Sequence, residues 1–346
     1  MKKKSWKITV CRLLLAGVVL CETALLSGCH GAPPVTREEL VTDITREVGT
    51  AGEVAAIGET AATGVPEVLA IEEDYLGGAE LHLLACANGA QNLSCVIRTR
   101  GGSVIVVDGG RDIDAEHLTE VIQSMGGRVA AWLITHPHSD HIGALTELLN
   151  TEPVPIAIDQ IYYSFLENSV YETGENQGRM EDLTSLQEAF QKLEEGILHP
   201  PVKKGDTFQV DEARITVMNE PFACQENTFN NSSVAYRLEI NDKRILFLGD
   251  MGWQAGENLL KVCTPEELKA DVVQMAHHGQ AGVEKDVYEV ISPEICLWPT
   301  PQWLWDNELD GVAGAGPYHT LTVRRWMEEL GVEKNLSVKD GDQTLK

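Results

Sequence analysis

The chain has 346 residues, 43% of them hydrophobic and 23% charged, which is enough apolar material for a full domain core. That balance excludes a disordered protein. A formal charge of −26 argues against a sequence-independent nucleic-acid binder, which needs a basic footprint to displace counterions.

In chain order, MKKKSWKITVCRLLLAGVVLCETALLSGCHG has a basic start, an apolar stretch from Ile8 to Leu20 and small residues before Cys29, the layout of a secretory signal. Leu26-Ser27-Gly28-Cys29 resembles the lipobox of bacterial lipoproteins, in which the cysteine is lipidated and becomes the new first residue. A single membrane-spanning anchor is the competing reading, but the stretch is short of about 20 spanning residues and Glu22 interrupts its end. Residues 1–28 are therefore read as a leader, and Cys29 as the lipidation site that holds the protein at the extracytoplasmic face of the membrane. The leader carries five lysines and arginines against Glu22 alone, so its removal takes the charge from −26 to −30. Residues 29–75, with two adjacent prolines and an Ala/Gly/Glu-rich run, read as a tether, and 76–346 as the folded domain. Five cysteines remain in that domain with no CxxC spacing, which indicates neither a disulfide framework nor a thiolate zinc site.

Within the domain, LHLLACA, LSCVIRT and SVIVVDGG read as strands and AEHLTEVIQSMGG as a helix closed by glycines. RVAAWLIT is a buried strand followed by the helix GALTELLN, and MEDLTSLQEAFQKLEEGI is a longer helix. DTFQV, ARITVMN, SVAYRLEI and RILFLGD are strands, ENLLKVC and EELKA short helices, ADVVQMA and EICLWPT strands, and LTVRRWMEELG the terminal helix. The pattern is α/β, and it predicts an αββα sandwich of two mixed sheets flanked by helices.

Metal-ligating residue types close four of these strands: Asp108 after SVIVV, His136, His138, Asp140 and His141 after AAWLIT, Asp250 after ILFLG, and His277 and His278 after VVQMA. Carboxyl ends of strands in open α/β sheets gather ligands, so these residues are expected in one cleft. His136 and His138 lie two apart on extended chain, where their rings can grip one ion, while Asp140 and His141 enter the following turn and can face a second. Imidazole and carboxylate at this density suit zinc, two ions being expected, with manganese possible.

On these motifs the chain resembles a metallo-β-lactamase-fold hydrolase from about Leu76 onward. Asp108-Gly109-Gly110 matches the family's first motif, HxHxDH falls on His136, His138, Asp140 and His141, the metal-bridging aspartate on Asp250, and the late histidine on HHG at 277–279. The family's GHT-type histidine is absent, since no histidine lies between His199 and His277. NNSSVAYRLE, LFLGD and ADVVQMAHHG are similar instead to the ComEC-like branch, which includes the hydrolase domain of DNA-uptake proteins and a choline-phosphate esterase of cell-wall teichoic acid. That resemblance puts Asn230 or Asn231 in the missing histidine's place, with the second histidine of HHG available to complete the first metal site. Asp108 would orient a ligand histidine and counts, with Asp140 and His319, among residues serving the chemistry.

Divalent ions lower the pKa of a coordinated water from 15.7 to about 7, so hydrolysis by a metal-activated hydroxide at neutral pH is the expected reaction. A small-molecule or cell-envelope phosphodiester, or another phosphate ester, is the expected substrate, and long nucleic acid fits poorly with the charge. An acyl bond such as a β-lactam or lactone is the alternative, and a non-catalytic surface binding protein the reading from another class. His319 would serve substrate or leaving group, against a competing role as helix cap, and the isolated His199 is read as structural. Tyr162 and Trp303, with Tyr163, Phe165 and Trp305, would wall a pocket, against ordinary core packing of the same rings.

Overall fold

The computed structural model describes residues 74–174 and 179–346. The leader, Cys29 and the tether as far as residue 73 lie outside the described residues. No described helix is long and apolar enough to cross a membrane.

Two seven-stranded sheets face each other. The first orders β14 (Gln343–Leu345), β1 (Glu80–Leu83), β2 (Ser94–Arg98), β3 (Val104–Asp108) and β4 (Arg128–Leu133), with the short β5 (Ala157–Ile158) and β6 (Ile161–Tyr162) both on the free edge of β4. The second runs β13 (Lys334–Ser337), β12 (Ile295–Trp298), β11 (Val272–Gln274), β10 (Lys243–Phe247), β9 (Tyr236–Ile240), β8 (Ala213–Val217) and β7 (Thr207–Val210). Strand alternation builds four layers. Ile105 and Val107 of β3 and Ile245 and Phe247 of β10 point between the sheets. Val104 and Val106 turn outward to the helices α1 (Ala115–Ser124) and α2 (Ser139–Asn150), and Leu246 outward to Leu259, Tyr288 and Trp298. Strands covered on both faces read as unbroken apolar runs, and each fully buried aliphatic side chain contributes about 1.5–3 kcal/mol.

The two halves repeat one plan. β1, β2 and β3 pair antiparallel, α1 crosses over, and β4 adds parallel to β3. Likewise β8, β9 and β10 pair antiparallel, the helix Trp253–Val262 crosses over, and β11 adds parallel to β10. Asp108 and Asp250 thus end the third strand of each unit, and His136–His141 and His277–His278 follow the fourth. This plan is why four ligand-bearing strand ends meet.

Three local expectations change. The predicted long helix from Met180 stops at Phe190, because the chain beyond it pairs with the sheet edge, Ile161 N–H donating to Ile197 O and His199 N–H to Ile161 O. KDVYEVI forms an additional helix at Lys285–Ile291. The chain does not end at the helix Thr320–Glu329: β13 and β14 follow and each extends a sheet edge, β14 lying antiparallel to β1.

Candidate metal centre

Both halves use left-handed backbone to aim the ligands. Asp108, Gly109 and Gly110 have φ of 61°, 128° and 93°, and a Cβ on Gly109 would sit 2.9 Å from the Trp132 ring. His277, His278 and Gly279 have φ of 51°, 54° and 74°, and a Cβ on Gly279 would sit 2.5 Å from the Trp298 ring. Each left-handed histidine costs roughly 1–2 kcal/mol, so the surroundings must hold the turn. Gln274 does much of this: its Oε1 accepts from Leu248 N–H (2.9 Å) and Gly249 N–H (2.8 Å), while its Nε2 donates to Gly249 O (3.0 Å). His277 N–H then donates to Gly249 O at 3.1 Å, tying the histidine turn to the Asp250 loop.

The side chains converge in two triads. His136, His138 and Asp250 form one, and Asp140, His141 and His278 the other; within each, ligand-type atoms all lie within 4.8 Å of one another. Asp250 joins them, with Oδ2 at 3.2 Å from both His141 Nε2 and His278 Nε2 and 3.9 Å from His136 Nε2. The Nε2 atoms of His138, His141 and His278 and Oδ1 of Asp250 are buried without a hydrogen-bond partner. Orphaned donors and acceptors at this density, all of metal-ligand type, fit a bound cation.

Electrostatics agree with that fit. Burial lowers His136 well below the usual histidine range, helped by the neighbouring His141, and lowers His138 to about 4, so both present neutral imidazoles. For His141 burial also favours the neutral form, but the Asp250 and Asp108 carboxylates outweigh it and hold the ring well above its ordinary value. His278 is pushed up to about 9 against its burial, by Asp250 and Asp140. Burial would raise Asp140 and Asp250, yet His278 and His141 keep both well below the usual carboxylate range. A buried cluster of paired carboxylates and imidazolium groups is one in which a dication can replace protons.

The supporting contacts are specific. Asp108 is fully buried and accepts from Thr135 N–H (2.7 Å), Thr135 Oγ1 (2.8 Å) and His141 Nδ1 (2.7 Å), which leaves His141 Nε2 facing the cluster. His278 Nδ1 lies 3.0 Å from Pro299 O. The ring of Phe229 stacks on His138 with centroids 5.2 Å apart and planes 5° from parallel. Gln91 Nε2 donates to Asp140 Oδ2 at 3.1 Å, and Arg111 Nη2 lies 3.4 Å from the same oxygen while its Nε donates to Gln91 O. Sequence reasoning missed Gln91, Arg111 and Phe229. Only Arg111 carried a local signal, following Asp108-Gly109-Gly110 directly.

Several expected residues lie elsewhere. His278 joins the triad of Asp140 and His141, so it does not complete the first site, and His277 belongs to neither triad. Consecutive left-handed residues point these two side chains apart, and His277 Nε2 lies 3.2 Å from Asn230 Nδ2 at the cleft wall. Asn230 lines the cleft with its Oδ1 buried and unpartnered, whereas Asn231 Oδ1 accepts from Ala255 N–H and so anchors the helix Trp253–Val262. His319 is exposed at the N-cap of the helix Thr320–Glu329 and lines no part of this cleft. Tyr162 is buried in the core between the sheets against Phe208, because β6 pairs with β4 and turns that ring inward. Trp303 donates to Gly89 O at 3.1 Å and packs on Tyr318, bracing the loop that carries Gln91. His199 packs on Tyr162 and Phe208, a structural position.

The triads open on a cleft of about 210 Å³ that also meets Gln91, Arg111, Ser139, Arg179 and Asp182. Comparison with known proteins places this geometry. The model of the Metallo-beta-lactamase superfamily matches residues 87–295. A hydroxyacylglutathione hydrolase of Alkalilimnicola ehrlichii is 47% identical over 51 residues, which is 15% of this chain and 19% of that protein's length. Among solved structures, the metallo-beta-lactamase fold protein YhfI of Bacillus subtilis aligns with TM-score 0.47 and 11% identity over 78% of this chain and 99% of its own. Zn(2+)-bound PqqB of Methylobacterium extorquens aligns with TM-score 0.46 and 12% identity over the same shares. With the family model spanning more than half the sequence and both triads inside the span it matches, the chain belongs to the metallo-beta-lactamase superfamily.

Proposed function

We propose that this protein is a metal-dependent hydrolase, a zinc phosphodiesterase acting on a small or cell-envelope substrate, tethered outside the cytoplasmic membrane through Cys29. One observation carries the reaction class: two His/Asp triads share a cleft that the Arg111 guanidinium also lines, while Arg179 at its rim is already paired with Asp182. In a chain with 53 acidic and 27 basic residues, a guanidinium beside the triads suits a phosphate, which arginine recognises by forked hydrogen bonds. Zinc bound by the two triads would supply an acidified water and polarise the scissile oxygen. The chain's own residues do the rest. Asp108 holds His141 in one tautomer and orientation. Gln91 and Arg111 fix the Asp140 carboxylate, and Asn230 and His277 offer hydrogen-bonding atoms at the cleft wall. Asp250, which reaches both triads, sets the spacing of the two groups.

Charge supports a small substrate. A mature chain near −30 repels a long polyanion, and only charges within about 8 Å of the cleft escape screening at physiological salt. Zinc-loaded protein is therefore expected to hydrolyse bis(p-nitrophenyl) phosphate faster than single- or double-stranded DNA at matched phosphodiester concentration. Salt-sensitive cleavage of long DNA at the higher rate would reverse this preference. The short match to a hydroxyacylglutathione hydrolase favours an acyl bond as the second reading, and turnover of a thioester, lactone or cephalosporin without phosphodiesterase activity would put it first. The lipobox-like LSGC supports the tether. Cys29→Ala is expected to move the protein out of the membrane fraction or leave its precursor uncleaved, and a processed variant still bound to the membrane would refute lipidation.

A further inference from the structure

The cleft at the triads continues into a second depression, a groove of about 270 Å³ between α2 and the helix Met180–Phe190. Arg111, Ser139, Arg179 and Asp182 line both, so the two are contiguous. One wall of the groove is tight because α2 carries Gly143 against the Arg111–Asp112 backbone, where a Cβ would fall 2.5 Å from Asp112 N. Resting on the phosphodiester reading, we infer that this groove binds one alcohol arm of the substrate and that the arm is a polyol, with glycerol phosphate its smallest representative.

The chemistry of the walls selects that class. Beyond Arg111 the groove presents Ser139, Thr146, Asn150 and Ser185, four hydroxyl or amide side chains that can bond the hydroxyls of a ligand. Thr146 Oγ1 donates to Ile142 O and keeps its acceptor lone pairs, and Asn150 Oδ1 accepts from Lys192 while its amide N–H groups remain available. A second phosphate is poorly served. Arg179 is held by Asp182 through two hydrogen bonds, at 3.0 and 2.8 Å, and Asp112 and Glu147 add negative charge to the same walls. A quaternary ammonium is equally poorly served, because no aromatic ring is among the described lining residues and such cations are held over aromatic faces. The aromatic candidates of the sequence cannot supply one: Tyr162 lies in the core and Trp303 braces the Gln91 loop. What remains is an uncharged, hydroxyl-rich arm whose phosphate sits beside Arg111 at the triads. The size agrees, since the groove falls just below the roughly 300–1,000 Å³ of sites that enclose drug-sized ligands.

The test uses the zinc-loaded full chain with bis(p-nitrophenyl) phosphate as reporter substrate, and compares methyl phosphate, glycerol phosphate and phosphocholine as competitive inhibitors. All three place a phosphate at the triads, so differences report the arm. Two net hydrogen bonds to the glycerol hydroxyls correspond to about tenfold tighter inhibition by glycerol phosphate than by methyl phosphate. In Ser185→Trp, which fills the groove from its exposed wall, that ratio is expected to fall to near one. A wild-type ratio near one, a ratio unchanged in Ser185→Trp, or phosphocholine as the tightest of the three overturns the groove assignment while leaving phosphodiester hydrolysis standing. No hydrolysis of the reporter overturns the phosphodiester reading instead, and calorimetric affinities of glycerol phosphate and methyl phosphate for the zinc-loaded protein then decide the groove by the same ratio.

Discussion

Asp250→Ala should abolish bis(p-nitrophenyl) phosphate hydrolysis and bring bound metal, by elemental analysis, below one ion per chain. The reason is its position. Asp250 is almost fully buried and touches both triads, so its carboxylate is the one negative charge common to the two sites. Its loss leaves the first triad with His136 and His138 alone and strips the second of the charge facing His141 and His278. Asp140→Ala or His141→Ala should do less to the metal, lowering it from about two ions toward one, because each belongs to a single triad. Activity should fall by about 10³-fold or more in Asp250→Ala, the scale on which removal of a main electrostatic contributor is felt. An Asp250→Ala variant that retains two ions and its turnover would sink the shared-carboxylate account.

Asp108→Asn offers the second large effect, and it separates charge from shape. Asp108 sits at φ 61°, a region that asparagine tolerates better than most residues, so the backbone turn survives the substitution. The carboxylate does not. Its two oxygens accept three hydrogen bonds, and an amide must turn an N–H group toward one of those donors. With His141 no longer fixed with Nε2 toward the cluster, metal affinity should drop about 10- to 100-fold, the usual cost of losing a partner behind a ligand histidine. Chelator competition measures this directly. Asp108→Ala should add a stability loss of about 1–3 kcal/mol, since Thr135 N–H is then buried without an acceptor, and denaturant unfolding of the two variants tells the effects apart. Wild-type metal affinity in Asp108→Asn would show that His141 needs no such partner.

What could be read in advance followed the range over which the physics acts. HxHxDH was legible because the strand before it is an unbroken apolar run and the spacing of its ligands is local. Asp250 was legible for the same reason, at the end of ILFLG. The choice between His277 and His278 was not, because it depends on three consecutive left-handed residues whose conformation is held by Gln274 and by the Trp298 ring. Pocket wall and core packing stay undivided for Tyr162 in the sequence because a two-residue strand gives no periodicity, and only its pairing with β4 shows which way the ring turns. β13 and β14 escaped notice for a related reason: KNLS and QTL are short, half polar and follow a helix, and each becomes a strand through an existing sheet edge. Phe229 and Gln91 reach the cluster through contacts that span dozens of positions, and nothing in their immediate neighbourhood marks them, whereas Arg111 at least follows Asp108-Gly109-Gly110 directly.

The repeated plan of the two halves places a seam through the metal centre. His136 and His138 come from the first half and Asp250 from the second; Asp140 and His141 come from the first and His278 from the second. Neither half owns a complete set of ligands. A chain emerging from its amino terminus therefore presents the dense histidine motif well before any finished site exists, and strong capture of metal must wait until four-fifths of the sequence has been delivered and the sheets have docked. A metal held by either triad would draw ligands from both halves and so would favour the finished assembly. Occupancy of the centre would in this sense record that both halves have folded and docked.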